Sequence, residues 1–244
     1  MGDSDADPAD FYTGLVARLY APLRSVDPDP APYAAFITAV GQPALELGCG
    51  DGDPLLELVA QGLDVEGLDS SADMLDRARE RAAERDLAIT LHHAPMEAMD
   101  LGRQYRSIFL AGPTFNLVLD DGLVAAALAR IHDHLEPGGS ALIPLFVPED
   151  ESDRVGEVSE SGTMRITRLS CERDEVARRQ AVVIRYEDGD ESVERPWTLH
   201  WHTQDQFRTL AETAGLEVAA IMAPDGRRAA PDADQFVFWL TRPE

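Results

Sequence analysis

Apolar residues recur along this chain with two different periods, and the change of period predicts how the chain is organised. Over residues 10–40 they recur at helical spacing, which predicts two helices separated by a proline-rich turn. Over residues 44–147 short apolar runs alternate with amphipathic segments, a pattern typical of a parallel sheet covered by helices. Beyond Pro148 apolar and polar residues alternate singly, which predicts antiparallel strands.

Within this pattern the individual elements can be assigned. Strands are predicted at 44–47, 63–68, 87–92, 107–110 and 141–147, with helices at 55–62, after Ser70 and Ser71, and at 121–135. Pro144 predicts a kink or bulge near the end of the fifth strand. Alternating runs at 164–169, 182–186 and 197–201 predict an inserted antiparallel sheet. A helix capped by Thr203 then ends at Gly215, and strands at 216–223 and 235–240 are expected to form a hairpin at the sheet edge.

The glycines after the first strand form the most informative motif. The segment reads Glu46-Leu47-Gly48-Cys49-Gly50-Asp51-Gly52, followed by Asp53 and Pro54, which are expected to cap and open a helix. A strand, a glycine-rich turn and a helix N-terminus let ligand atoms approach bare backbone. In the dinucleotide-binding fingerprint, the third glycine would stand at position 53. This chain has Asp53 there, and a negatively charged side chain is unfavourable next to a pyrophosphate. The motif therefore favours a ligand without phosphate.

This segment resembles motif I of the class I S-adenosylmethionine-dependent methyltransferases. Asp51 is a departure, since that family often has Thr or Ser there, but the glycines set the backbone shape. Leu135-Glu136-Pro137-Gly138-Gly139 resembles the family's signature before strand five. The similarity spans roughly residues 10–240, and its specific motifs lie between 44 and 147. The resemblance implies an α/β fold with a Rossmann-like seven-stranded mixed sheet flanked by helices, an N-terminal helical flap and a small antiparallel insertion after strand five.

The resemblance also implies a binding site for S-adenosylmethionine, which leaves the enzyme as S-adenosylhomocysteine after methyl transfer. Asp69 ends strand two about twenty residues after the first glycine, where an acid accepts both ribose hydroxyls; its alternative role is a helix cap. An aromatic face can hold a sulfonium cation, so Tyr12 and Tyr20 are candidates for the methionine end, or else packing residues. The full set of implied cofactor-binding residues is Tyr12, Tyr20, Glu46, Gly48, Cys49, Gly50, Asp69, Ser70, Met74, Pro95, Met96, Glu97, Leu110, Ala111 and Gly112.

Composition narrows the partners and the chemistry. The formal charge of −24 argues against nucleic acid or an anionic membrane as the main partner and leaves a small-molecule substrate. The chain has no lysine, which excludes Schiff-base chemistry and a phosphate-loop lysine. Two cysteines are too few for a disulfide framework, and the acidic N-terminus does not match a signal peptide. We therefore expect a cytoplasmic protein.

The catalytic residues are less clear from the sequence. Methyl transfer needs alignment above all, and a general base only when the acceptor arrives protonated. His200 and His202 alternate onto one face of a lid strand and are candidates for that base, with Asn116 lining the acceptor side. Trp197 and Trp201 occupy the opposite face, and periodicity does not decide which face covers the cleft. No third ligand lies near the two histidines in sequence, so no metal site is expected.

The sequence thus predicts an S-adenosylmethionine-dependent methyltransferase that acts on an N or O acceptor of a small molecule. Two alternatives are a nicotinamide-dependent oxidoreductase and a non-catalytic cofactor-binding protein. We expect one domain, whose parts are a disordered leader at 1–10, a helical flap at 11–42, a cofactor-binding core at 43–148, an inserted β-lid at 160–202, and a C-terminal helix and strand hairpin at 203–244.

Overall fold

The structure is a computed structural model that describes residues 11–23 and 29–244. The predicted leader at 1–10 lies outside the described residues. Two helices, α1 (Gly14–Leu23) and α2 (Ala31–Val40), precede the first strand. None of the helices in the described ranges combines the length and the apolar character needed to cross a bilayer.

A seven-stranded mixed sheet forms the centre of the fold, as predicted. Its strands are β1 (Ala44–Leu47), β2 (Val65–Asp69), β3 (Leu91–His93), β4 (Tyr105–Phe109), β5 (Leu135–Phe146), β10 (Glu217–Met222) and β11 (Gln235–Thr241). Their spatial order is β10-β11-β5-β4-β1-β2-β3. β1 to β5 pair in parallel, whereas β11 runs antiparallel to both β5 and β10. The last two strands therefore form the expected hairpin, with β10 at the edge.

Helices cover both faces of this sheet because its central strands are apolar on both sides. Every residue of β1 is buried, with Leu45 and Leu47 packing into one core cluster and Ala44 into the other. The remaining helices are α3 (Leu55–Ala60), α4 (Ala72–Glu84), α5 (Asp121–His134) and α6 (Gln204–Thr213). Thr203 and Gln206 form a capping box at the start of α6, which confirms the predicted cap.

Two local predictions were wrong. Asp53 does not cap α3; its carboxylate lies 2.7 Å from the Arg81 guanidinium on α4, because that partner offers a full charge in place of a backbone N–H. Pro144 produces no kink or bulge, since the register between β5 and β11 runs unbroken through it. It lies two residues beyond Leu142, the last residue of β5 that pairs with β4, so its missing N–H interrupts no parallel ladder.

The segment after strand five folds as a separate antiparallel sheet, which we call the lid. Its strands are β6 (Val158–Ser161), β7 (Met164–Asp174), β8 (Arg179–Asp188) and β9 (Glu191–His200), in that order. The sequence predicted the last three and missed β6, because all four of its residues are exposed and carry no burial pattern. Tyr186 of the lid packs with Phe11, Leu15 and Leu19 of the N-terminal segment. The lid and the helical flap therefore share a core cluster.

Candidate active site

A cavity of about 300 Å³ opens at the carboxyl ends of β1 and β2, beneath α1. Strand ends of a parallel sheet converge there, and the connecting loops supply the walls. Ten of the fifteen residues implied as cofactor-binding line it: Tyr12, Tyr20, Gly48, Gly50, Asp69, Ser70, Met74, Pro95, Met96 and Glu97. Residues far apart in the chain thus meet at one cavity, in the arrangement that the motif suggested.

The floor of the cavity is the glycine turn after β1. Gly48 and Gly50 have φ values of +67° and +53°, in the left-handed region that favours glycine. A Cβ at Gly48 would approach the Thr114 side chain at 2.9 Å, and one at Gly50 would meet the Met74 methyl at 3.3 Å. Side chains here would both strain the backbone and fill the space that a ligand requires.

Asp69 fixes the turn and faces the cavity. Its two carboxylate oxygens accept hydrogen bonds from the backbone N–H groups of Gly50 and Ser71, both at 2.8 Å. Burial raises the pKa of Asp69 above its ordinary value, against the stabilising effect of these backbone donors. Each oxygen retains a second lone pair, so the carboxylate can also accept from a diol such as a ribose. The helix cap is Ser71, whose hydroxyl accepts from Met74 N–H.

Glu46 lies beneath the turn on β1 and does not line the cavity. It is fully buried, and neither carboxyl oxygen has a hydrogen-bond partner among the described residues. Burial raises the pKa of Glu46 well above its usual range, with further contributions from Asp53 and Asp69. A buried carboxyl without a partner is rare and costly. Glu46 therefore lies next to the glycine turn but outside the cavity.

Two tyrosines of the N-terminal segment close the cavity. Their rings meet edge to face with centroids 5.4 Å apart, and both line the cavity wall. Burial raises the pKa of Tyr12 above its ordinary value, so this phenol stays protonated. Tyr12 also packs against Phe11 at 4.8 Å, which means that it contributes both to packing and to the cavity.

The other implied cofactor-binding residues lie outside this cavity. Cys49 is buried, and its sulfur would be 2.7 Å from a Cβ at Gly67, so it packs into the core. Leu110 is fully buried at the end of β4. The Ala111 carbonyl accepts the Tyr33 hydroxyl at 2.8 Å, and Leu110, Ala111 and Gly112 line a second, apolar cavity of about 730 Å³ beside α2.

The three candidate catalytic residues also lie away from the first cavity. The Asn116 side-chain amide donates to the carbonyls of Phe146 and His200, at 2.8 and 3.0 Å, and its oxygen accepts Phe146 N–H. These contacts join the end of β5 to the end of β9, the two places where the lid connects to the rest of the fold. His200 and His202 are buried and point toward α5. Trp197 occupies the face of β9 that turns to the helical flap, at 6.4 Å from Tyr12.

The two histidines meet Asp121, the first residue of α5. Its Oδ1 lies 2.8 Å from Nε2 of His202 and 3.4 Å from Nε2 of His200. Burial lowers the pKa of both histidines, that of His202 to about 4. The three groups place their donor atoms within 4.8 Å of one another, an arrangement that sequence spacing could not reveal. Both Asp121 oxygens are bound by the Arg178 guanidinium, at 2.5 and 2.6 Å, so an ion pair accounts for this cluster and the absence of a metal stays a prediction.

Seven residues of the cavity wall are absent from the predicted set. Leu68 and Ala94 are direct chain neighbours of predicted residues. The other five come from the short 3₁₀ helix after β4, the residues that follow it and the first turn of α5: Thr114, Leu117, Val118, Leu119 and Leu123. This loop follows a central strand directly, and that position could have indicated a ligand-binding loop. Its apolar residues, however, are equally typical of residues that pack in the hydrophobic core. This loop brings the cavity into contact with the lid.

Comparisons with known proteins agree with this geometry. Residues 44–139 match the family model described as a methyltransferase domain. The chain is 30% identical over 227 residues, 89% of this chain and 92% of the relative, to dTDP-3-amino-3,4,6-trideoxy-alpha-D-glucopyranose N,N-dimethyltransferase of Streptomyces venezuelae. It is 28% identical over 239 residues, 91% of this chain and 92% of the relative, to dTDP-3-amino-3,6-dideoxy-alpha-D-glucopyranose N,N-dimethyltransferase of Streptomyces fradiae. The solved structure of the CcbJ methyltransferase from Streptomyces caelestis superposes with a TM-score of 0.80 at 23% identity, covering 96% of this chain and 98% of that one, which shows a shared fold.

Fold and site together define a Rossmann-like methyltransferase. With a relative of 30% identity aligned over most of its length, the chain belongs to the class I S-adenosylmethionine-dependent methyltransferase family. It is an enzyme that methylates a small molecule with S-adenosylmethionine as cofactor, as the motif predicted.

Proposed function

We propose that this enzyme transfers the methyl group to an amine nitrogen, and that its acceptor is a small amino sugar or a close analogue. The observation that carries the choice of nitrogen is the set of titratable side chains in the cavity wall. Among the described residues these are Tyr12, Tyr20, Asp69 and Glu97, and none is a histidine. A hydroxyl acceptor needs a base in the transition state, whereas a neutral amine attacks with its own lone pair.

The candidate bases support this choice by their positions. Nε2 of His202 donates to the Asp121 carboxylate at 2.8 Å, and the ring nitrogen of His200 lies 3.2 Å from the Val118 carbonyl. Both rings are buried away from the cavity, so neither reaches an acceptor placed there. The amino-sugar class comes from the two curated relatives, whose names describe N,N-dimethylation of a sugar amine.

The residues around the cavity have defined roles in this proposal. When bound, S-adenosylmethionine supplies an electrophilic methyl group on a cationic sulfur. Asp69 binds the ribose hydroxyls, and Gly48 and Gly50 let the ligand approach the backbone. Tyr12 and Tyr20 present ring faces to the cation, an interaction worth about 0.5–2 kcal/mol. The lid excludes water and aligns the acceptor.

A matched pair of acceptors tests the choice of nitrogen. The purified enzyme is incubated with S-adenosylmethionine and either the amino sugar nucleotide named for the Streptomyces fradiae relative or its counterpart with a hydroxyl in place of the amine. A second pair uses the same sugars without the nucleotide. We expect mass spectrometry to show methylated product and S-adenosylhomocysteine only with the amines.

Methylation of the hydroxyl compounds would contradict the proposal, as would transfer to no amine by an enzyme that binds the cofactor. The Gly48→Ala variant serves as the control for cofactor-dependent turnover, because its new Cβ would meet Thr114 in the cavity floor.

A further inference from the structure

A third, very small cavity lies between the lid and the helical flap. It measures about 10 Å³ and is lined on one side by Pro196 and Trp197 of β9 and on the other by Phe11 and Tyr12. Thr198, Leu117 and Leu119 complete it, and the two leucines and Tyr12 also line the cofactor cavity. The two spaces thus share a wall, so a group bound under the lid lies directly next to the cofactor.

Trp197, one of the residues that line this cavity, carries a hydrogen-bond donor that lacks a partner among the described residues. Its indole Nε1 is buried and makes no hydrogen bond with any of the described residues. Buried polar groups of native proteins are almost always satisfied, and a buried indole N–H usually finds an acceptor. Since the indole nitrogen only donates, the missing partner is an oxygen or another acceptor atom.

Two aromatic rings pack near the Trp197 indole. The Trp197 ring meets Phe11 edge to face with centroids 4.7 Å apart, and Tyr12 lies 6.4 Å away at an interplanar angle of 63°. Binding sites for small molecules typically combine such apolar walls with a few precisely placed polar groups. A ring compound that carries oxygen atoms matches both properties, because its C–H face packs on the aromatics while an oxygen accepts the indole hydrogen.

The small volume of this cavity limits what can bind there without a movement of the lid. A volume of about 10 Å³ holds at most one water molecule, so an acceptor enters only if the lid moves away from the flap. The base of the lid is fastened by Asn116, which joins Phe146 to His200. Movement is therefore expected in the part of β9 before His200, which includes Trp197, and not at His200 itself.

We propose that Trp197 is a positioning residue for the methyl acceptor, and that its indole N–H donates to a ring or hydroxyl oxygen of an amine-bearing sugar-like molecule. This inference rests on the proposed function. It adds that the lid recognises the acceptor through one tryptophan and that the histidines on the other face of the strand do not take part.

Steady-state kinetics with the amino sugar nucleotide test this role. Trp197→Phe keeps an aromatic ring and removes only the donor, so we expect the acceptor KM to rise about two- to tenfold, the worth of one hydrogen bond, while kcat stays within about twofold. The matched control is Trp201→Phe, because Trp201 packs under the Arg173 guanidinium at 4.2 Å and does not line either cavity. Both variants should bind S-adenosylhomocysteine like the parent enzyme. Equal acceptor KM values in the two variants would overturn the inference while leaving the proposed function intact.

A spectroscopic measurement keeps the inference testable without turnover. The chain has three tryptophans, so Trp201→Phe/Trp239→Phe leaves Trp197 as the only one. This variant, saturated with S-adenosylhomocysteine, is titrated with the same amino sugar nucleotide while its fluorescence is recorded. A saturable change in Trp197 emission supports the inference, and if it occurs without methyl transfer it is the proposed function that fails. No change in emission, with or without turnover, overturns the assignment of Trp197.

Discussion

The floor of the cofactor cavity and the lid above it are built in different ways. The floor is made of backbone: glycines with positive φ and the N–H groups of Gly50 and Ser71, which Asp69 holds in place. The lid is held by side chains, namely the Asn116 amide at its base and the ring contacts of Trp197 with the helical flap. A backbone-built site tolerates little change, whereas a site built of side chains can be altered one contact at a time.

The difference also separates cofactor binding from acceptor selectivity in physical terms. In the proposed function the floor binds one and the same cofactor, so a rigid turn suits it. The lid is proposed to contact the acceptor, and single contacts there would change which molecule is bound. We therefore expect substitutions in the floor to weaken cofactor binding and substitutions in the lid to change only acceptor use or lid mobility.

Among variants that change the shape of the floor or of the lid, the largest effect on ligand binding is expected for Gly48→Ala. A left-handed backbone costs an L-residue about 1–2 kcal/mol, and the new Cβ would lie 2.9 Å from Thr114. We expect calorimetry to show about tenfold weaker binding of S-adenosylhomocysteine, the equivalent of about 1.4 kcal/mol. Gly62→Ala is the control, since Gly62 has a φ of +84° but nothing within 4 Å of its Cβ. Equal loss of affinity in both variants would show that the contact in the floor is unimportant.

An intermediate effect is expected for Asn116→Ala. The change leaves two carbonyls and one N–H at the base of the lid without their side-chain partner, at a cost of about 1–3 kcal/mol. Hydrogen exchange should accelerate at the ends of β5 and β9, while the affinity for S-adenosylhomocysteine stays close to that of the parent. Asn116→Asp retains the acceptor but not the donors and should resemble the alanine variant. Unchanged exchange at both strand ends would refute the fastening role of this residue.

The smallest effect is expected for His202→Gln. Because burial lowers the pKa of His202 to about 4 and the ring faces Asp121, it takes no proton from the acceptor near neutral pH. We expect kcat for the amine acceptor within about threefold of the parent and an unchanged pH profile, since a true general base contributes about 10²–10⁴-fold. A hundredfold loss of kcat with a shifted pH profile would show that the other face of the lid strand reaches the reaction.

Much of the floor could be predicted from the sequence, because it depends on local backbone requirements that residue types reveal. The glycines at 48 and 50, Asp69 at a strand end and the Ser71 cap all follow from such requirements. For the lid, the sequence predicted only the alternation of apolar and polar residues that is typical of strands. Its period placed Trp197 and His202 on opposite faces, but the choice of face depends on α1 and α5, which are distant in sequence. The pairing of Asp121 with Arg178 and the histidines has no local signal for the same reason.

The most direct test of this account is calorimetric titration of the enzyme and of Asp69→Asn with S-adenosylhomocysteine. The variant preserves the shape of the side chain but replaces one acceptor oxygen by a donor and removes the charge. We expect one molecule bound per chain, and an affinity at least about tenfold weaker in the variant, as charged hydrogen bonds contribute about 1.5–3 kcal/mol. Equal affinity of the two proteins, or binding of NADH in preference, would contradict the assignment of this cavity as the cofactor site.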